Sequence, residues 1–154
     1  MNARPWARML AVAAVVVAID QATKGVLRGA LEPGEHRDLI LGFELNHVIN
    51  SGIAFGALDG AADELVLFVT AAALALIVGW FTVAGDRRGM WLGVGLLVGG
   101  ALGNLIDRIR IDGVTDFVDP PLWPAFNVAD VAITAGVVIL AFAALAPARE
   151  AGPS

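Results

Sequence analysis

The chain has 154 residues, of which 58% are hydrophobic and 16% are charged, and its mean hydropathy is +0.76. A soluble domain of this length needs more charge to cover its surface, so the composition predicts a single integral membrane domain. The net charge of −5 argues against nucleic acid as a partner, and the lack of cysteine in these residues excludes disulfides, thiolate nucleophiles and cysteine-based metal sites.

Four apolar segments are long enough to cross a bilayer, which requires about 20 residues per helix. They cover about 6–27, 65–84, 90–106 and 128–145. Arginines lie at the N-terminus, in the tight turn between the second and third segments, and after the fourth: Arg4, Arg8, Arg87, Arg88 and Arg149. The positive-inside rule makes these sites cytoplasmic, so both termini are predicted in the cytoplasm and both long connections outside.

The first segment also has features of a cleaved signal peptide, namely a basic start and an apolar core. However, Asp20, Gln21 and Lys24 follow that core without a clear small-residue cleavage site. A retained first span is therefore the preferred interpretation, since losing it would spoil the charge topology.

The first outer connection is predicted to be rich in β-structure over about 32–60. Apolar residues alternate with polar ones there: Leu39, Leu41, Phe43, Leu45 and Ile49 against Asp38, Glu44, Asn46 and Asn50. This period of two predicts a strand or hairpin lying against the membrane or the helices. The second outer connection, about 110–127, carries Pro120, Pro121 and Pro124 and is predicted to form a loop or short helix rather than one regular element.

Several polar residues lie in or near the predicted spans, where ionisable groups are costly and rarely accidental. Asp20 and Lys24 lie four residues apart, so they can pair across one helical turn, and a structural ion pair is favoured over direct chemistry. Asn104 lies one turn before Asp107 and Arg108, so all three can face a common interior. We expect either an Asp107–Arg108 ion pair or a role in holding catalytic groups.

Two aspartates lie on either side of the second outer connection. Asp116 has apolar neighbours, and Asp130 lies where the fourth helix begins. Taken singly, each has an ordinary explanation, as a turn residue or as an acid favoured by a helix dipole. Taken together, on one side of the membrane and at similar depth, they can converge. Two carboxylates sharing a proton can hydrolyse an amide, since one activates water while the other protonates the carbonyl oxygen.

Three other interpretations remain open at this point. Ser51 and Lys24 could form a Ser–Lys hydrolase. Asp107, Asp116 and Asp130 could bind a hard cation, which carboxylates without histidine favour. A small transporter or a scaffold without enzymatic activity is the third, with close helix packing along a stripe of Gly95, Gly99 and Gly103.

Five motifs occur in order along the chain: DQATK at 20–24, NSGIAFG at 50–56, GGALGNLIDR at 99–108, VTDF at 114–117 and FNVAD at 126–130. Together they resemble bacterial lipoprotein signal peptidase, or signal peptidase II, over nearly the whole chain. The resemblance implies an aspartyl endopeptidase of the bacterial inner membrane. It would remove signal peptides from diacylglyceryl-modified prolipoproteins at the outer face, cleaving before the lipidated cysteine. It also implies an all-α membrane fold of four transmembrane helices with a small β-cradle on the outer surface.

On this match Asp116 and Asp130 are the catalytic dyad. Supporting site residues follow from the surrounding motifs: Asn50, Gly100, Asn104, Asp107, Arg108, Phe126, Asn127 and Ala129, with Asp20 and Lys24 on a further motif. Thr115 departs from the pattern, because an apolar residue is expected beside the dyad aspartate. No cofactor or metal is expected. The expected partners are prolipoprotein substrates, membrane lipids and globomycin-like inhibitors, and the enzyme is expected to act as a monomer.

Overall fold

The computed structural model describes residues 3–50, 61–84 and 89–145. The helices in these parts are α1 (Ala3–Ala30), α2 (Ala61–Ala84), α3 (Met90–Ile111) and α4 (Val128–Leu145). Each predicted apolar segment lies within one of them. By length and composition α1, α3 and α4 can cross a membrane, whereas α2 has a shorter apolar stretch, Phe68–Val83.

Helix α3 packs closely against both α1 and α4. A Cβ atom at Gly95 or Gly99 would lie 2.8 Å from a main-chain oxygen of α1, and one at Gly100 would overlap the main-chain oxygen of Ala129 in α4. Only glycine allows such close approach of helix backbones. The glycine spacing therefore predicted helix packing correctly.

The main apolar core lies where α1 and α3 begin, at the end of the bundle away from the strands. Its buried members are Met9, Ala13, Phe81, Met90, Val94 and Val98. Trp6 and Phe81 add an edge-to-face contact between α1 and α2, with ring centroids 5.0 Å apart. Many large apolar side chains on the outer faces of the helices remain exposed, as expected for surfaces that meet lipid.

Three short strands form an antiparallel sheet in the order β1 (His36–Asp38), β2 (Glu44–Asn50) and β3 (Val114–Asp119). The predicted hairpin is confirmed, with Arg37 opposite Leu45. The alternation does not extend across the whole segment, because Leu41 and Gly42 adopt positive φ angles of 61° and 76° in the turn. The part of the predicted β-rich segment over 51–60 lies outside the described residues.

Strand β3 corrects the prediction for the second outer connection. A loop or short helix was expected over about 110–127, but Val114–Asp119 is a strand paired with β2. The prolines begin only after this strand, so they do not interrupt its hydrogen bonds. No helix occurs in the described residues between α3 and α4. Because α1 and α3 end at the sheet and α4 begins there, polar residues from all these elements meet at one end of the bundle.

Candidate active site

Asp130 is held by the first turn of α4. Asn127 is the residue before the helix, and its Oδ1 accepts a 3.1 Å hydrogen bond from the Asp130 N–H. In return, the Asn127 N–H donates to Asp130 Oδ2 at 3.1 Å, which completes a reciprocal capping box. The other oxygen, Oδ1, accepts from Asn104 Nδ2 at 2.9 Å. Both carboxylate oxygens are thus oriented, and the helix dipole favours a negative charge here.

Asp116 lies in the middle of β3 and is only 3% exposed. Its Oδ1 accepts from Asn127 Nδ2 at 2.7 Å, and its Oδ2 accepts from Asn50 Nδ2 at 3.0 Å. Burial raises the pKa of the Asp116 carboxyl above its ordinary value, and repulsion from Asp130 acts in the same direction. The hydrogen bonds from Asn50 and Asn127 oppose this change because they favour the ionised form. The net direction is upward, so Asp116 keeps its proton to a higher pH than an ordinary aspartate does.

Asn127 connects the two aspartates. Its side-chain amide donates to Asp116, while its main-chain N–H donates to Asp130. The same amide also reaches Asn104 Oδ1 at 3.1 Å and the Thr115 carbonyl oxygen at 3.4 Å. The predicted convergence of Asp116 and Asp130 is therefore present in the fold, with one buried asparagine holding both carboxylates.

A fully buried ionic cluster lies directly behind this pair. Lys24 Nζ is 2.9 Å from Asp20 Oδ2, 3.1 Å from Asp107 Oδ2 and 2.9 Å from Asn104 Oδ1. The predicted pairing of Asp20 with Lys24 is confirmed. Such a buried cation is tolerated only when its charge and its donors are satisfied, as they are here.

The expected pairing of Asp107 with Arg108 is wrong. Asp107 instead pairs with Lys24 and with Arg28, whose Nη1 lies 3.4 Å from Asp107 Oδ1. Consecutive residues on a helix do not face each other, so Arg108 cannot easily turn to its neighbour. Arg108 lies half-buried in the last turn of α3, outside this network.

The ionic cluster is linked to the aspartate pair at two points. Asn104 accepts from Lys24 through Oδ1 and donates to Asp130 through Nδ2, so the lysine determines which way this amide points. Asp20 Oδ1 accepts from the Ala129 N–H at 3.0 Å, in the first turn of α4. Asp20 and Lys24 are therefore connected through hydrogen bonds to the first turn of the helix that holds Asp130.

Two further predicted residues contribute through their main chains. Gly100 allows α3 to approach α4 at Ala129. Phe126 exchanges main-chain hydrogen bonds of 2.9 and 3.0 Å with Val118, which joins the end of β3 to the start of α4. These bonds bring the strand that carries Asp116 next to the start of the helix that carries Asp130.

The sequence did not reveal two members of the network, Gln21 and Arg28. Gln21 Nε2 donates to the Gly103 carbonyl oxygen and to Asp107 Oδ1, both at 3.1 Å. Helical spacing could have predicted Arg28, because it follows Lys24 by four residues and so lies on the same face of α1. Thr115, noted only as a departure from the motif, is fully buried and accepts from Arg28 through Oγ1 at 2.9 Å.

The alternative chemistries find less support in this geometry. Ser51 lies outside the described residues, but Lys24 is ion-paired with two carboxylates, whereas a lysine base must lose its proton. Asp107 accepts from Lys24, Arg28, Gln21 and the Thr115 N–H, so its oxygens are occupied. Among the described residues, no group of three or more acidic or histidine side chains is placed to hold a metal ion.

Apolar helices that end at a buried, paired-carboxylate site define a membrane protein suited to acid–base hydrolysis. A family model described as signal peptidase (SPase) II matches residues 12–146. The lipoprotein signal peptidase of Moorella thermoacetica is 41% identical over 144 residues, covering 93% of this chain and 96% of that relative. The lipoprotein signal peptidase of Gloeobacter violaceus is 39% identical over 159 residues, covering 96% and 90%.

The chain is also similar to solved structures. A bacterial membrane enzyme determined by the in meso method at 1.9 Å resolution has a TM-score of 0.79 and 31% sequence identity. The match covers 89% of this chain and 92% of that one. The chain therefore belongs to the signal peptidase II family, a family of proteases that cleave signal peptides from prolipoproteins.

Proposed function

We propose that this chain is an aspartyl endopeptidase that removes signal peptides from diacylglyceryl-modified prolipoproteins, cleaving before the lipidated cysteine. Asp116 and Asp130 are the catalytic dyad in this proposal. The observation that carries it is the placement of two carboxylates on one buried asparagine, Asn127, each with both oxygens oriented by N–H donors.

The two aspartates differ in surroundings, and we assign them different roles. Asp130 lies in a capping box at a helix N-terminus, where the helix dipole interacts favourably with a negative charge, so we assign it to take the proton from the attacking water. Asp116 has a pKa raised by burial and by the nearby Asp130, so it protonates the carbonyl oxygen of the scissile bond. Asp130 then gives this proton to the leaving amine nitrogen as the C–N bond breaks. Asp116 takes a proton back from a hydroxyl group of the tetrahedral intermediate, which leaves a carboxylic acid product and restores the pair.

The proposed site lies at the outer face of the bacterial inner membrane. Helices α1 and α3 both run towards the dyad, and α4 starts there, so the site is at the end of the bundle opposite the N-terminus. Arginines at the start of α1, between α2 and α3, and after α4 favour a cytoplasmic location for both termini. With α2 as a fourth span, the dyad faces outwards, at the level where the diacylglyceryl group of a substrate lies in the outer leaflet.

Cleavage of an intact prolipoprotein by the purified protein, in detergent or lipid, tests the proposal. Asp116→Asn and Asp130→Asn are each expected to lower turnover by about 10²- to 10⁴-fold, the contribution of a positioned acid or base. Asp38→Asn is the matched control, because Asp38 is exposed on β1. Normal turnover by either dyad variant would exclude the dyad assignment.

The same assay tests four further expectations of the proposal. The unlipidated precursor is expected to be a poor substrate, and a globomycin-like cyclic peptide is expected to block cleavage. Ser51→Ala is expected to retain substantial activity, whereas a Ser–Lys hydrolase would lose it. The enzyme is proposed to act as a monomer, so specific activity should not depend on protein concentration.

A further inference from the structure

Arg28 lies in the last turn of α1, beside the site but outside all five motifs. Its side chain is 28% exposed, and Nη1 donates a 2.9 Å hydrogen bond to Thr115 Oγ1. The same atom is 3.4 Å from Asp107 Oδ1. Lys24 supplies one positive charge against two buried carboxylates, Asp20 and Asp107, so Arg28 supplies the second.

Thr115 is the residue immediately before Asp116, and it is fixed from three sides. Its N–H donates to Asp107 Oδ2 in α3 at 3.1 Å, and its carbonyl oxygen accepts from Asn127 Nδ2 at 3.4 Å. Its hydroxyl accepts from Arg28 in α1. Only this last bond depends on the side chain, so it is the part that a substitution at 115 can remove without touching the main chain.

We propose that Arg28 is a positioning residue that acts through the Thr115 hydroxyl to hold Asp116 in its catalytic place beside Asn127. This inference rests on the proposed function, and it extends that function to a residue that touches neither substrate nor dyad. Small displacements of a catalytic group are costly: about 1 Å can reduce the rate roughly 10²-fold. Loss of one of three anchors should cost less, and we expect kcat to fall about 10-fold with KM changed less than about 2-fold.

The test compares Thr115→Val with Thr115→Ser. Valine keeps the shape and both main-chain hydrogen bonds but removes the hydroxyl, so kcat is expected to fall about 10-fold, whereas serine should retain most of it. Thr82→Val is the matched control, because the Thr82 hydroxyl donates within α2, to the Gly79 carbonyl oxygen at 2.6 Å, away from the site. Cleavage should be measured per active enzyme, titrated with a tight-binding inhibitor.

Arg28→Gln completes the test as a double-mutant cycle. It is expected to lower kcat at least as much as Thr115→Val, because it also removes the contact with Asp107. In the Arg28→Gln background, Thr115→Val should then have little further effect, since both changes break the same bond. Arg37→Gln is the control, since Arg37 is exposed on β1 and pairs with Glu35, which is not part of the network around the dyad.

Three results would overturn the inference. The first is a wild-type kcat for Thr115→Val, and the second is a full, multiplicative effect of that variant in the Arg28→Gln background. The third is a Thr115→Val protein whose unfolding temperature and active fraction are lower but whose kcat per active enzyme is unchanged, which would indicate a structural role only. If Arg28→Gln does not accumulate, the comparison of valine with serine at 115 decides. Should the wild-type protein fail to cleave prolipoprotein, the proposed function itself fails, which is a different outcome.

Discussion

Replacing Lys24 with methionine should be strongly destabilising. Lys24 is completely buried and is shared by two carboxylates, Asp20 at 2.9 Å and Asp107 at 3.1 Å. Removing one partner of a buried ion pair costs about 3–5 kcal/mol, because the remaining charge loses its compensation. Asp107 would keep Arg28, and Asp20 would keep the Ala129 N–H, so we expect a value near the lower limit, about 3 kcal/mol. The free energy of unfolding of a typical domain is about 5–15 kcal/mol, so this loss is large.

Equilibrium unfolding in mixed micelles, followed by tryptophan fluorescence, measures this change; the chain has four tryptophans. Arg37→Met is the matched control, since the Arg37–Glu35 pair is 59% and 41% exposed and should contribute no more than about 1 kcal/mol. A triple variant, Asp20→Asn with Lys24→Met and Asp107→Asn, should recover part of the loss because no buried charge is left unpaired. A loss for Lys24→Met no larger than that of Arg37→Met would refute the view that this cluster stabilises the fold.

Two more changes test the dyad and the helix packing. The Asn50 hydrogen bond favours ionised Asp116, so Asn50→Ala should raise the pKa of Asp116 further. Because the proposed mechanism needs Asp116 protonated, the alkaline limb of the pH–kcat/KM profile should then move to higher pH. An alkaline limb that is unchanged or moves to lower pH would contradict this. Gly100→Ala would force a Cβ against the Ala129 carbonyl oxygen, so it is expected to lower the free energy of unfolding by about 1–3 kcal/mol and to lower turnover. In the control, Gly79→Ala, the added Cβ meets nothing within 4 Å. This control should leave stability unchanged or raise it by up to about 1 kcal/mol in thermal unfolding.

The features that the sequence predicted correctly depend on local regularity. Apolar length located the helices, and a spacing of four residues located the Asp20–Lys24 pair and the packing glycines of α3. The capping box at Asn127 and Asp130 was not predicted, although it has a local signature, a polar cap residue followed three positions later by an acid. These patterns are short-range because helix geometry alone brings the residues together.

The features that it missed depend on contacts between distant segments. The strand over Val114–Asp119 was not predicted because prolines follow it closely in the sequence. It forms because β2 provides a neighbouring strand with which it pairs. Asp107 finds Lys24 and Arg28 across the α1–α3 interface, whereas Arg108 is closer in sequence but turned away on the helix. Hydrophobic periodicity does not specify which polar faces of two helices meet, so these pairings required the folded structure.

The order of groups around the dyad explains why a buried lysine can lie so close to it without disabling it. An ammonium in direct contact with either carboxylate would favour its ionised form and so oppose proton uptake. Instead, Lys24 contacts Asn104, and neutral amides make the contacts to the dyad: Asn104 to Asp130, Asn127 and Asn50 to Asp116. Amides orient a carboxylate but stabilise its charge less than a cation does. Neutral amides therefore hold the two aspartates in a fixed geometry, as the proposed mechanism requires of a pair that exchanges a proton.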